Sequence, residues 1–144
     1  MATKPDRRAR RTLILERDGR ACVWCGRAVD VDLDEATTEH VVPRLKGGPS
    51  WIENEVAACR RCNAQRGHLT PGEWIDECER RGWRPSRQRI VAALTALDEA
   101  IEVRGGQRRA RAYVRSQLRR LAEAERPSTP AMPHADSEGR VVDR

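Results

Sequence analysis

Residues 36–48 read A-T-T-E-H-V-V-P-R-L-K-G-G. The β-branched residues Thr37, Thr38, Val41 and Val42 bracket an acid–histidine pair, Glu39-His40, and predict a short strand. Pro43, Gly47, Gly48 and Pro49 then forbid regular structure. Taken alone, the pair reads as a surface acid and base at a strand end. Neighbouring strand residues point to opposite faces. For both side chains to act on one group, the strand must end, twist or bulge at this point.

What lies on either side changes the reading. Two C-x-x-C pairs, Cys22/Cys25 and Cys59/Cys62, enclose the stretch, with 33 residues (26–58) between them. This is longer than the roughly 15–20-residue spacing of a compact zinc ribbon. Two disulfides would satisfy the same cysteines. In a chain expected to stay inside the cell, paired knuckles more often hold one tetrahedral Zn²⁺. Four thiolates so placed tie the ends of the insert, which also carries Asn54, together and can bring Glu39, His40 and Asn63 near one another. Cys78 is left over and reads as a small buried apolar residue.

The composition supports a braced, basic domain. The chain has 144 residues, 35% of them charged, with four Trp, one Tyr and no Phe, so its apolar core is small. The formal net charge of +6 points to a polyanionic partner, nucleic acid first and a membrane surface second. No apolar run approaches the ~20 residues of a membrane span. The first 19 residues are basic, and no apolar stretch suited to a secretory signal follows. The expected location is cytoplasmic.

Helical patterns occupy much of the rest. Asp6 can cap a first helix that Gly19 stops, giving an amino-terminal helix within 1–19. The acidic stretch V-D-L-D-E-A (31–36) predicts a loop, N-E-V-A-A (54–58) a second short strand, and C-R-R-C-N-A-Q-R (59–66) a helix ending at Gly67. Thr70, Pro71 and Glu73 mark the start of another helix, which Gly82 ends. Ile90, Leu94, Leu97 and Ile101 recur at helical spacing, as do Ala110, Val114, Leu118 and Leu121 after Gly105-Gly106, which predicts an antiparallel hairpin within 83–125. Residues 126–144 are polar and proline-rich and read as a disordered tail that includes His134.

The ordered pattern C-V-W-C-G, T-E-H-V-V-P-R, G-G, E-N-E-V-A-A-C-R-R-C-N and R-G, spanning Arg20 to Gly67, resembles the zinc-knuckle branch of the HNH endonucleases. That resemblance implies an α+β fold: a ββα-metal (His-Me) finger braced by zinc on the four cysteines, with flanking helices and the carboxy-terminal hairpin. It places the nuclease domain at 20–82. It implies His40 as the general base that activates water, and Glu39, where the family usually carries Asp, as a ligand of the catalytic metal. Asn54 matches the central Asn that holds the loop, and Asn63 a second metal ligand at the start of the helix. His68 stands one residue beyond the position where some members carry a further histidine, and reads as a helix-end or loop residue.

The chemistry fits these residue types independently. A base with a pKa near neutrality favours His. Mg²⁺ or Mn²⁺ prefers carboxylate and amide oxygens, while Zn²⁺ takes the thiolates. The expected partner is therefore DNA, with Arg44, Lys46, Arg61 and Arg66 the nearest phosphate contacts. Arg108, Arg109, Arg111, Arg115, Arg119 and Arg120 either embrace a duplex or form a solvated helix face. Trp24 and Trp51 read as core packing, and Glu53 and Glu55 as residues without a catalytic role. The competing readings are a zinc-stabilised nucleic-acid-binding module without catalysis and a zinc-braced protein-interaction domain. Oligomeric state and DNA target are not written in the sequence.

Overall fold

A computed structural model describes residues 5–29 and 36–124. The expected acidic loop (apart from Ala36), the expected tail and His134 lie outside the described residues. The architecture is α+β: among the described residues, five α-helices and one two-stranded antiparallel sheet. No helix among the described residues is long and apolar enough to cross a membrane.

Helix α1 (Arg7–Asp18) starts where the Asp6 carboxylate accepts the Ala9 N–H at 2.8 Å, and ends at Gly19, whose φ of 83° few other residues adopt. It buries Ile14 and Leu15 and leaves Leu13 exposed. Strands β1 (Ala36–His40) and β2 (Glu55–Cys59) pair from Ala36↔Cys59 to His40↔Glu55 without interruption. Helix α2 (Arg60–Arg66) follows β2 directly and packs on the sheet, completing a ββα unit. Residues 22–26 form a tight turn closed by the Gly26 N–H on the Cys22 carbonyl, and the Val23 N–H bonds the Ala57 carbonyl, docking that turn beside β2.

The strand is shorter than the run of β-branched residues. Val41 and Val42 are buried but leave the ladder, because Asn54 captures them. The Val41 N–H bonds the Asn54 carbonyl, the Val42 N–H bonds Asn54 Oδ1, and Nδ2 donates to the carbonyls of Val42 and Pro49. One fully buried amide thus clamps the whole β1–β2 connection. Gly48 makes this closure possible. A Cβ there would stand 1.8 Å from the Val42 oxygen and 2.9 Å from Asn54 Nδ2. Gly48→Ala is therefore expected to lower stability by about 3 kcal/mol, the upper end of overpacking costs. A shift in urea midpoint at constant slope measures it.

Helices α3 (Pro71–Arg80), α4 (Arg87–Arg104) and α5 (Arg108–Ala124) complete the chain. Thr70 caps α3 and Ser86 caps α4. The α4 stripe Ile90, Leu94, Leu97, Ile101 is buried as the periodicity predicts. On α5 the inward residues are Ala110, Val114, Gln117 and Leu121, with Leu118 only partly covered. Gln117 is buried because its Oε1 accepts the Gly72 N–H at 2.9 Å, which answers an otherwise open donor in the first turn of α3.

Candidate functional site

Two centres sit on the finger. The first is the cysteine cluster. Cys22 and Cys25 come from the turn, Cys59 from the end of β2 and Cys62 from the first turn of α2; their four sulfurs lie within 4.8 Å of one another. All five cysteines are free, so the disulfide alternative is not the one adopted. Cys25 and Cys59 sulfurs are 3.8 Å apart. A tetrahedral site with Zn–S of about 2.3 Å has S···S edges of about 3.8 Å. Hydrogen bonds from Cys22 and Cys62 hold the Cys59 thiol far below its usual range, while the hydrogen bond to Cys59 pushes Cys22 up to about 12. A soft divalent cation is what lets all four ionise together. The donor set fits Zn²⁺. Cys78 lies buried on α3, outside this cluster.

Arg61 belongs to this centre. Its guanidinium lies 3.8 Å from the Trp83 ring centroid and faces the Cys25 thiol. Expected as a phosphate contact, it stands as a positive charge beside the cysteine cluster.

The second centre is a cleft of about 220 Å³ at the end of β1, into whose wall Glu39, His40, Arg44, Asn63, Arg66 and His68 all enter. The strand ends at His40 without a bulge, so Glu39 and His40 leave it on opposite faces. The cleft lies at the strand end, where both still reach it.

His40 is half-buried, and its Nε2 is buried without a hydrogen-bond partner, 3.7 Å from Glu55 Oε1. Glu55 stands directly across the sheet and is held by the Arg10 guanidinium from α1. Burial lowers the His40 pKa; Glu55 opposes this, and Arg44 and Arg10 add to it. The imidazole is thereby neutral at neutral pH, the state a proton acceptor needs. Glu55, expected to have no catalytic role, is thus the nearest acid to His40. Strand register was the signal for it, and the register is set by the turn between the strands.

Glu39 is buried and already engaged. Trp24 Nε1 donates to Oε2, and Arg66 donates to Oε1 at 3.0 Å. Burial raises its pKa, against the charge and hydrogen bonds of Arg66 and the Trp24 donor. Trp24 therefore packs, as expected, but also orients the acid. Arg66, expected as a phosphate contact, is turned inward. It is 1% exposed, and its donors also reach the carbonyls of His40, Val41 and Leu69 while its plane covers Trp24 at 4.7 Å. It holds the loop after β1 against α2. Arg66→Met is expected to destabilise the fold by about 3–5 kcal/mol, because it strands the Glu39 charge and three carbonyls. Glu39→Gln added to it is expected to restore part of the loss, read by chemical denaturation of all three variants.

Asn63 projects from α2 with Nδ2 3.4 Å from Thr37 Oγ1. His68, past the end of α2, shares the cleft despite its offset in sequence; Gly67, with φ of 55°, turns the chain to put it there. Each Glu39 oxygen retains a lone pair beyond its hydrogen bond. One carboxylate, one amide and open sides for water and phosphate oxygens fit a hard divalent cation of the Mg²⁺ type. Arg44 and Lys46 are exposed on the 3₁₀ turn that follows the site, Arg44 bonding Ser50 Oγ at 3.0 Å.

The α5 arginines turn largely toward the protein. Arg109 donates to the Leu45 carbonyl, Arg111 pairs with Glu102, Arg115 with Asp98 and Arg120 with Asp76. Arg104, at the end of α4, pairs with Glu53 and covers the Trp51 ring at 4.3 Å. These contacts fasten the hairpin to itself and to the finger.

A family model described as HNH endonuclease matches residues 22–78, from the first knuckle cysteine to Cys78. The resemblance read from the sequence is borne out, and the match supports a nuclease-type function. Among solved structures, the chain is similar to the crystal structure of the Type II-C Cas9 enzyme from Actinomyces naeslundii, at 22% identity and a TM-score of 0.49. The similarity covers 82% of this chain and 12% of that one. No curated protein matches.

Proposed function

We propose that the chain is a metal-dependent HNH endonuclease that hydrolyses DNA phosphodiester bonds, with His40 as the general base. The observation that carries this reading is a neutral, half-buried imidazole at the end of β1, sharing one cleft with Glu39 and Asn63. In this reading His40 accepts a proton from water. Glu55, across the sheet, stabilises the imidazolium that results, and Arg10 holds Glu55 in place. Glu39 and Asn63 would hold Mg²⁺ or Mn²⁺, which when bound neutralises charge on the phosphate and the leaving oxygen. Asn54 fixes the loop that carries the site, and Arg44 and Lys46 steady flanking phosphates. Cys22, Cys25, Cys59 and Cys62 would hold Zn²⁺, which when bound would brace the turn against β2 and α2. Residues 20–82 then carry the chemistry, and the hairpin of 83–125 buttresses them.

One observation favours the second reading, a nucleic-acid-binding module without catalysis: the charge of Glu39 is already matched by Arg66. Labelled duplex and single-stranded DNA, incubated with the zinc-loaded chain and Mg²⁺ or Mn²⁺, separates the two. New termini are expected for the nuclease. Retarded but uncut DNA at every metal concentration would select the binding module.

A further inference from the structure

A second cleft, of about 530 Å³, opens between α1 and the start of α2. Arg7, Arg8 and Arg11 of α1, Arg60 of α2, and Thr37 and Thr38 of β1 line it. No acid stands among these residues. Several arginines elsewhere on the described surface meet carboxylates, as in Arg87–Glu79, Arg104–Glu53 and Arg120–Asp76. Arg7 and Arg11 are one helical turn apart, where like charges repel. Arg7 and Arg8 also occupy the first turn of α1, which has no acidic residue and where a cation opposes the helix dipole. A bound anion beside Arg7 and Arg8 would offset these costs. Arg11 and Arg60 have contacts within the chain as well, so the weight falls on Arg7 and Arg8, both exposed.

The position of the cleft identifies the anion. Thr38 lines both this cleft and the one at His40. His40 lies two residues beyond Thr38, about 6.8 Å along β1. Successive phosphates on one DNA strand advance about 3.4 Å along the axis. A strand with a phosphate at His40 therefore brings others to the arginines within a few nucleotides. The outer edge of β1 carries no strand among the described residues, so the path between the clefts is not closed by a ladder.

We propose that the arginine cleft is a second phosphate-binding subsite, taking the sugar-phosphate backbone of the same DNA strand that lies at His40. It rests on the nuclease reading for the identity of the polyanion. The contacts are to phosphate, so the subsite holds register and carries no sequence preference.

The test is DNA binding by the zinc-loaded full chain carrying His40→Ala, so that the DNA stays intact, measured by fluorescence anisotropy across a salt series. Adding Arg7→Gln/Arg8→Gln is expected to reduce the log–log salt slope by about 1.8, at ~0.9 per phosphate contact, and to weaken binding on the order of tenfold at physiological salt. The loss should be equal for unrelated sequences. Arg7→Lys/Arg8→Lys keeps the charge and should keep the slope. An unchanged slope in the Gln pair, a slope lost equally in the Lys pair, or a parent chain that binds no DNA overturns the subsite. Wild-type chain that binds with the expected slope yet cuts nothing overturns the nuclease reading and leaves the subsite standing.

Discussion

Cys59→Ser, or exhaustive chelation of the wild-type chain, is expected to unfold the finger rather than merely silence it. Cys59 has three jobs at one corner: it ends β2, its sulfur accepts the Cys62 N–H at the start of α2, and it stands 3.8 Å from the Cys25 sulfur. The buried apolar residues of the turn and β2 are mostly small, Val23, Val56, Ala57 and Ala58, beside Trp24. Burial of that size leaves little to hold the turn against β2 and α2. In zinc-finger peptides the metal contributes about 10–16 kcal/mol of apparent binding free energy, coupled to folding. Far-UV circular dichroism and one Zn²⁺ per chain by elemental analysis check the claim. A metal-free wild-type chain that keeps its native spectrum and melting transition would sink it. The α4–α5 hairpin, with its own buried stripe, is expected to retain helix after the finger has opened.

His40→Ala is expected to lower the single-turnover cleavage rate by about 10²–10⁴-fold, the usual contribution of a general base. Zinc content, melting temperature and DNA affinity should hardly move, because the side chain makes no hydrogen bond within the fold. The pH profile follows from the sign of the shift. Burial lowers the His40 pKa, so the base stays neutral, and the rate stays high, to a pH below the ordinary imidazole value of about 6.5. The rate then falls as acid protonates it. Removing the nearby acid with Glu55→Gln lowers the pKa further and should move that acid limb to still lower pH. Glu39→Ala should also lose activity, but with a raised metal requirement that extra Mn²⁺ partly meets. No metal buffer should restore His40→Ala.

Much of this was legible in the chain, and the exceptions have physical causes. The nested C-x-x-C pairs and the short runs around Glu39 and Val56 were enough for the ββα unit. Ligand spacing and strand period are local properties. The α4 stripe was legible for the same reason. On α5 the period pointed to Leu118, yet Gln117 is the buried residue, because an open N–H of α3, 45 positions away, needs its side-chain oxygen. Arg66, at a helix end before a glycine, has the sequence context of an exposed cation. Its burial depends on an acid, an indole and three carbonyls supplied by other segments. Glu55 became the partner of His40 only through the register of a strand whose connection is set by Asn54 and Gly48. Each of these is a tertiary hydrogen bond or ion pair, and neither composition nor periodicity carries such information.

The measurement that tests the central claim most directly is conversion of supercoiled plasmid by the zinc-loaded wild-type chain, with and without added Mg²⁺, beside a His40→Ala preparation purified in parallel. The account predicts nicked circles that accumulate only with added divalent metal and only with the wild type. Plasmid that is bound but stays supercoiled under every metal, or that is cut equally by both preparations, would contradict it.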